Sequence, residues 1–340
     1  MKNKYFVGFD VLKLIFSLFI IAIHVNLLNA DSSNVNFFAV KCLFRLAVPS
    51  FFAISGFLYE KKVHDLNDFD RKKVTIKYIK SLLIPFIFWL IVDMPFKYME
   101  MRKVLTVSST IKEMIKWLFF YQWGGLWYIS ALIVAVVLIY FLRKKVNIYK
   151  IFIVSIPLYI FALISNNYYF IIKDSFLEKV ILKYRDIFIS ERNGIFEGLI
   201  FVSLGMVIYR YYCSGKIKYK RCLTMSIVVY LIFIVEVFFI KDKISLPDGS
   251  LYIAFVVLIP SIVAFFTKFS TTKKTLVIRH FSTGFYFLHY SIIRIIDLIL
   301  SKLNYTITSL WYFILVVLIS TIIIVLSHFV NNEKINKILF

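Results

Sequence analysis

Three ionisable residues fall inside one apolar stretch, Phe9 to Leu28: Asp10, Lys13 and His24. A carboxylate, an amine and an imidazole are groups that bind charge and carry protons, and lipid tolerates none of them cheaply. Asp10 and Lys13 are three residues apart and share a helix face. His24 follows Lys13 by eleven residues, about three turns and roughly 16 Å along a helix. Eleven steps of ~100° return to nearly the same side, so one stripe holds all three. A membrane helix turns such a stripe toward protein or water, which makes it a candidate functional site.

Further polar groups interrupt other apolar runs. Arg45 lies in FRLAVPSFFAISGFLY, where Pro49, Ser50, Ser55 and Gly56 allow kinking or close packing. Two readings stand for it: a snorkelling side chain, or a buried counter-charge. Trp127 and Tyr128 open a run GGLWYISAL, as members of an interfacial aromatic belt or of a site. Arg192 stands at the mouth of ERNGIFEGLIFVSLG, and Glu197 inside it needs a partner such as Arg45. Glu236 is close enough to the end of its run to reach water, which makes it structural. His289 sits deep in FSTGFYFLHYSIIRIIDLIL, ahead of an Arg294–Asp297 spacing that suits an intrahelical pair. Two deep histidines, His24 and His289, in charged helices point to an internal polar site.

The elements that must position these residues are membrane helices. Of 340 residues 61% are hydrophobic and 18% charged, with mean hydropathy +0.82, more apolar surface than a soluble core needs. Apolar runs at 9–28, 37–58, 79–95, 126–142, 149–166, 195–212, 222–240, 250–267, 281–300 and 309–329 predict about ten transmembrane helices. The sequence thus predicts an all-α polytopic bundle, one domain over 1–340, in a cell membrane. The net charge of +22 resides largely in short loops, as around Lys61–Lys62, Arg143–Lys145, Lys216–Arg221 and Lys268–Arg279. Those loops alternate with mixed-charge ones, such as 167–194 and 241–248, so both termini are expected in the cytoplasm. Loop-borne charge argues against nucleic acid as a partner, and the bilayer is the partner instead. Residues 96–125 contain IKEMIKWLFFYQW, which predicts an interfacial helix. Residues 167–194 are Tyr-rich and suited to cap a cavity. Lys2 and Lys4 precede the first run as in a signal peptide, but its length and polar content predict a retained span. Cys42, Cys213 and Cys222 lack metal spacing and read as core residues, so no metal is expected. No Walker loop, dinucleotide fingerprint, G-x-S-x-G elbow or HExxH is present.

These motifs together resemble the acyltransferase 3 family of membrane O-acyltransferases. The family opens on a basic residue followed by ten residues and histidine, which here is Lys13 to His24, preceded by Asp10. Arginine is usual at the basic position; lysine keeps the charge without the planar fork. The resemblance continues in order through Arg45–Tyr59, Leu126–Leu132, Arg192–Met206 and Phe281–Ile292. It implies an acyl-CoA donor, most simply acetyl-CoA, docked at the basic inner face, and an acceptor hydroxyl on an envelope glycan or lipid-linked sugar. His24 is then the general base, as an imidazole titrating near ~6.5 suits that role. Asp10 positions Lys13, which holds the anionic donor. Arg45 and His289 stabilise the oxyanion or bind donor or acceptor, with Trp127, Tyr128, Arg192 and Glu197 as further binding residues.

AIHVN, RLAVPSFFAISGF and RNGIF also look like the membrane domain attached to the serine racemases of vancomycin resistance. That domain has been proposed to import serine; the racemase half does not follow here, since the chain stops at Phe340. The alternative reading is therefore a transporter or exporter of a small polar substrate using the same residues, and a membrane scaffold is a third. A homo-oligomer is compatible with all three.

Overall fold

The architecture comes from a computed structural model, which describes residues 4–28, 33–102, 105–120, 122, 124–243, 249–273, 275–330 and 339. It is all-helical apart from one antiparallel bridge between Tyr5 and Thr271. Thirteen α-helices follow in order among the described residues: α1 Val7–His24, α2 Asn34–Phe38, α3 Ala47–Val63, α4 Asp68–Arg102, α5 Val107–Phe119, α6 Trp127–Leu142, α7 Ile148–Ile164, α8 Phe176–Phe188, α9 Leu199–Cys213, α10 Tyr219–Ile240, α11 Phe255–Phe266, α12 Leu276–Leu303 and α13 Ser309–Val330. Seven segments are long and apolar enough to cross a bilayer, and α6, α7 and α11 are shorter apolar helices. Together these correspond to the ten apolar runs of the sequence.

The bundle is organised around the crossing of α3 and α9. An added Cβ on Gly56 would lie 2.0 Å from the Val202 carbonyl oxygen, and one on Gly205 would lie 1.9 Å from that of Ala53. Two backbones touch where small residues face each other, and close packing replaces the hydrophobic drive that lipid removes. The span ending in α9 is accordingly the most enclosed, with 72% of its apolar window buried, against 22% for α10 and 17% for α13. Those two present Leu231, Val235, Trp311 and Leu318 outward, as lipid-facing helices do.

At one end of the bundle, Glu60 of α3 is wholly buried. It accepts from Arg143 after α6 at 2.6 Å, from Arg210 of α9 at 3.0 Å, and contacts His64 at 3.3 Å. One carboxylate thereby ties three helix ends together, and its burial is tolerated because it is fully paired. The N-terminal segment reaches the same end, where Tyr5 exchanges hydrogen bonds of 2.7 and 2.8 Å with Thr271.

Three expectations change. The run 37–58 is not one helix: α2 passes into a π turn, Ala39–Leu43, and a 3-10 turn, Phe44–Leu46, before α3 begins. The run 250–267 becomes helical only at Phe255; residues 249–254 are irregular, and Glu236 of α10 receives the free amides of Ile253 (2.6 Å) and Ala254 (2.9 Å). Irregular backbone needs such an acceptor, so Glu236, half-buried, is structural through this cap and a hydrogen bond from Tyr168. The segment 167–194 contains helix α8, capped by the Ser175 hydroxyl. A helix, α5, forms within 96–125, where an interfacial one is expected; Tyr121 and Trp123 of that stretch lie outside the described residues, as do Lys2, Asp248, Lys274 and Phe340.

Gly205→Val should force α3 and α9 apart. Overpacking of this kind costs about 1–3 kcal/mol or more, read as a lower thermal midpoint of the purified protein. An unchanged midpoint would show that the crossing does not hold the bundle.

Candidate active site

Two cavities lie end to end inside the bundle. The larger, ≈1010 Å³, opens at the end that holds Glu60 and is lined by Lys4, Lys13, Lys61, Lys62 and Arg279, with Asp65 as its acidic member. The smaller, ≈300 Å³, is lined by His24, Arg45, Trp127, Tyr128, Arg192 and Glu197. Phe51, Tyr128 and Tyr286 line both. The two spaces therefore share an aromatic wall.

That wall is held by a few specific contacts. The hydroxyls of Ser55 and Tyr128 are 3.0 Å apart. Tyr128 meets Tyr286 edge-on at 5.7 Å and Phe51 at 5.8 Å between ring centroids. Tyr286 donates to the carbonyl of Gly125, fixing the turn ahead of α6. Gly124 and Gly125 take φ of +86° and +101°, which L side chains rarely adopt. A Cβ on Gly124 would strike the Tyr290 ring at 2.4 Å, so the turn lies directly on α12.

The smaller cavity assembles residues from across the sequence. The π and 3-10 turns before α3 carry Arg45 to it. Arg192 is presented by a clamped segment: Arg185 of α8 grips Glu191 through two hydrogen bonds of 2.6 and 3.1 Å. Tyr184 accepts from Asn193 at 2.9 Å, and burial pushes its phenol up to about 12, so it stays protonated and donates to the Ser190 carbonyl. The Asn193 side chain accepts from the amides of Ile195 and Phe196 and starts the π turn that carries Glu197. Arg192 lies 4.3 Å over the Trp127 ring and pairs with Glu197 at 3.8 Å. Trp127 and Tyr128 are both buried. They form site wall, and the interfacial-belt reading is set aside.

His24, at the end of α1, faces this cavity, and His289 of α12 stands beside it with ring centroids 5.1 Å apart. The helix α1 stripe is thus divided: Lys13 lines the larger cavity and His24 the smaller. Asp10 does not pair with Lys13. It receives hydrogen bonds from Arg279 at 3.2 and 3.3 Å and from Thr275, so it joins α1 to the start of α12. The three-residue spacing set Asp10 and Lys13 on one face, but a buried carboxylate is better satisfied by three donors from a neighbouring helix. Lys13 has no hydrogen bond or ion pair among the described residues. Arg294 and Asp297 do pair, at 3.6 Å.

Several wall residues were not singled out from sequence: Phe51, Tyr286, Arg279 and the Gly124–Gly125 turn. Tyr286 was detectable, since it lies three residues before His289 and shares its helix face. Asp93, buried in α4 and accepting from Ser291 at 2.5 Å, was also passed over. Among the described residues no cluster of three or more His, Cys, Asp or Glu has a metal-binding arrangement.

Apolar spans surrounding paired charge and two cavities that carry charged side chains define an integral membrane protein with a candidate internal site. The family model that matches, an acyltransferase domain, covers residues 6–329, and the chain belongs to this acyltransferase 3 family. An amino-acid racemase of Enterococcus faecalis is 31% identical over 212 residues, 60% of this chain and 28% of that protein. A serine/alanine racemase of Enterococcus gallinarum is 25% identical over 234 residues, 68% of this chain and 32% of that protein. The chain spans about a third or less of the length of these relatives. No solved structure matches.

The different surroundings of Asp10 and Lys13 separate their roles. Lys13→Ala should leave stability within about 0.5 kcal/mol, since it removes no hydrogen bond or close ion pair. Asp10→Ala should cost about 1–2 kcal/mol, discounted for the half-exposed Arg279. Equal losses of thermal midpoint in both variants would contradict a ligand-facing Lys13.

Proposed function

We propose that this protein is an O-acyltransferase. It moves an acyl group from a cytoplasmic acyl-CoA, most simply acetyl-CoA, to a hydroxyl of an envelope glycan or lipid-linked sugar. The observation that carries this reading is the shared wall between a cation-lined cavity and a histidine-lined one. Family membership supports the reaction class.

In this reading the basic end faces the cytoplasm, as the positive-inside rule requires. Lys13, Lys61, Lys62 and Arg279 hold the donor's phosphates, a task for mobile point charges as well as for a guanidinium fork. A cavity of ≈1010 Å³ lies at the upper end of the usual range for small-molecule sites. The donor's pantetheine arm runs inward and sets its thioester at the wall of Phe51, Tyr128 and Tyr286. The acceptor hydroxyl enters the smaller cavity beside His24. His24 takes the hydroxyl proton as the oxygen attacks the thioester carbonyl, and Arg45 and Arg192 offset the oxyanion charge. The new C–O bond forms in that attack, and collapse of the tetrahedral intermediate restores the carbonyl and breaks the C–S bond. The CoA thiolate leaves and recovers the proton from His24.

A second reading is favoured by the relatives, which are named as amino-acid racemases. There the two cavities are successive stations for a small amino acid crossing the membrane. The readings differ in ligand: acetyl-CoA binding that weakens with salt and in Lys13→Ala supports the first, and saturable serine binding without it supports the second.

His24→Ala should abolish O-acylation of the envelope glycan while leaving the protein folded and inserted. Loss of a positioned general base costs about 10²–10⁴-fold in rate. Mass spectrometry of envelope polysaccharide reads the outcome. Unchanged O-acyl content in this variant, where deleting the whole chain removes it, would exclude His24 as the base.

A further inference from the structure

His289 is completely buried, and its imidazole is held in one state. Its Nδ1 lies 3.1 Å from the Phe285 carbonyl oxygen and 2.6 Å from that of Tyr286. Both partners can only accept, so Nδ1 carries the proton. The other nitrogen, Nε2, is buried and has no hydrogen-bond partner among the described residues. A second proton there would leave an imidazolium with an unanswered N–H in an apolar setting, which is costly. The ring is therefore neutral, with a lone pair on Nε2.

Two neighbours restrict what that lone pair can meet. A Cβ placed on Gly125 would lie 3.3 Å from Cε1 and 3.5 Å from Nε2, so the main chain of the turn closes over that edge of the ring. The other neighbour is His24, at a centroid separation of 5.1 Å. The two rings are tilted by 41° and share no hydrogen bond, but at this separation a turn of the His24 ring is enough to bring an N–H to the ~2.9–3.0 Å of an N–H···N bond. His24 lines the smaller cavity, whereas His289 does not. The substrate side of the pair is thus His24, and His289 stands behind it.

We propose that His289 is a positioning residue: its fixed Nε2 lone pair, unpartnered in this structure, takes up the N–H of His24 when that ring turns toward it and so sets the other nitrogen of His24, unprotonated, into the cavity. This rests on the reading of His24 as general base. It gives that base a defined tautomer and orientation, as a carboxylate or carbonyl behind an imidazole does in other sites. The backbone carbonyls of Phe285 and Tyr286 serve as the fixed end of the chain. His24 is also approached by the cations Arg45, Arg192 and Arg294, and Glu197 lines the same cavity. Those groups act on charge; His289 acts on orientation.

The test uses full-length protein labelled with ¹⁵N-histidine in nanodiscs, with its five histidines assigned by single substitution. Expected in the native protein is a neutral His289 protonated at Nδ1, with magnetisation transfer across a hydrogen bond from a His24 N–H to His289 Nε2. In His289→Phe the His24 ring should lose its single tautomer, and O-acylation should fall about 10- to 100-fold with acetyl-CoA affinity unchanged. His289→Gln, which keeps an acceptor oxygen, should recover part of both; the native spectrum alone decides should either variant fail to fold. A His289 protonated at Nε2, or a His24 spectrum indifferent to His289→Phe, overturns the proposal while leaving the base reading intact. A coupled pair with O-acylation retained in His24→Ala overturns the base reading, and this inference with it.

Discussion

Backbone contact between α3 and α9 sets the geometry on which the rest depends. Gly56 and Gly205 let the helices meet at distances no larger residue permits. One end of α3 carries Glu60, locked by Arg143 and Arg210. Toward its other end α3 carries Pro49, Phe51 and Ser55, which line the cavities. The segment leading into α9 carries Arg192 and Glu197. A shift at the crossing would move the wall and the arginine pair together. Lipid offers no hydrophobic force to restore such a shift, so close packing has to fix it.

Much of this was legible in the sequence because hydropathy and charge are strong signals in membranes. Each of the ten apolar runs corresponds to an apolar helix, and the basic loops after α3, α6 and α9 meet at one end around Glu60. His24, Arg45, Trp127, Tyr128, Arg192 and Glu197 were singled out as polar or aromatic intrusions, and they line one cavity. What sequence spacing could not supply was direction. Asp10 and Lys13 share a face, yet Asp10 reaches across to Thr275 and Arg279. The π turn at Ala39–Leu43 leaves no compositional mark, since its residues are as apolar as a regular span. Glu236 looked water-facing because nothing in its own helix reveals the free amides of Ile253 and Ala254.

In the proposed reading the two cavities answer a problem that any transfer between a cytoplasmic donor and an outward acceptor must meet. A charged coenzyme cannot cross the bilayer core, whose cost for a single charge is already several kcal/mol. In that reading the basic cavity keeps the phosphates at one end, and the uncharged arm reaches the wall shared by Phe51, Tyr128 and Tyr286. Lysine in place of the usual arginine at position 13 fits this arrangement, because Lys13 lines a wide cavity and makes no fork-type contact. Arg45 and Arg192 keep the guanidinium geometry where the space is small. His24 faces that space, and His289 stands behind it at 5.1 Å between ring centroids.

The central claim is that donor and acceptor occupy the two cavities and meet at Phe51, Tyr128 and Tyr286. Cryo-electron microscopy of the protein in nanodiscs with a non-hydrolysable acyl-CoA analogue tests it most directly. The account predicts phosphate density against Lys13, Lys61, Lys62 and Arg279, with the acyl end resting on the aromatic wall and His24 beyond it. Analogue density confined to the membrane surface, or an empty larger cavity at saturating analogue, would contradict it.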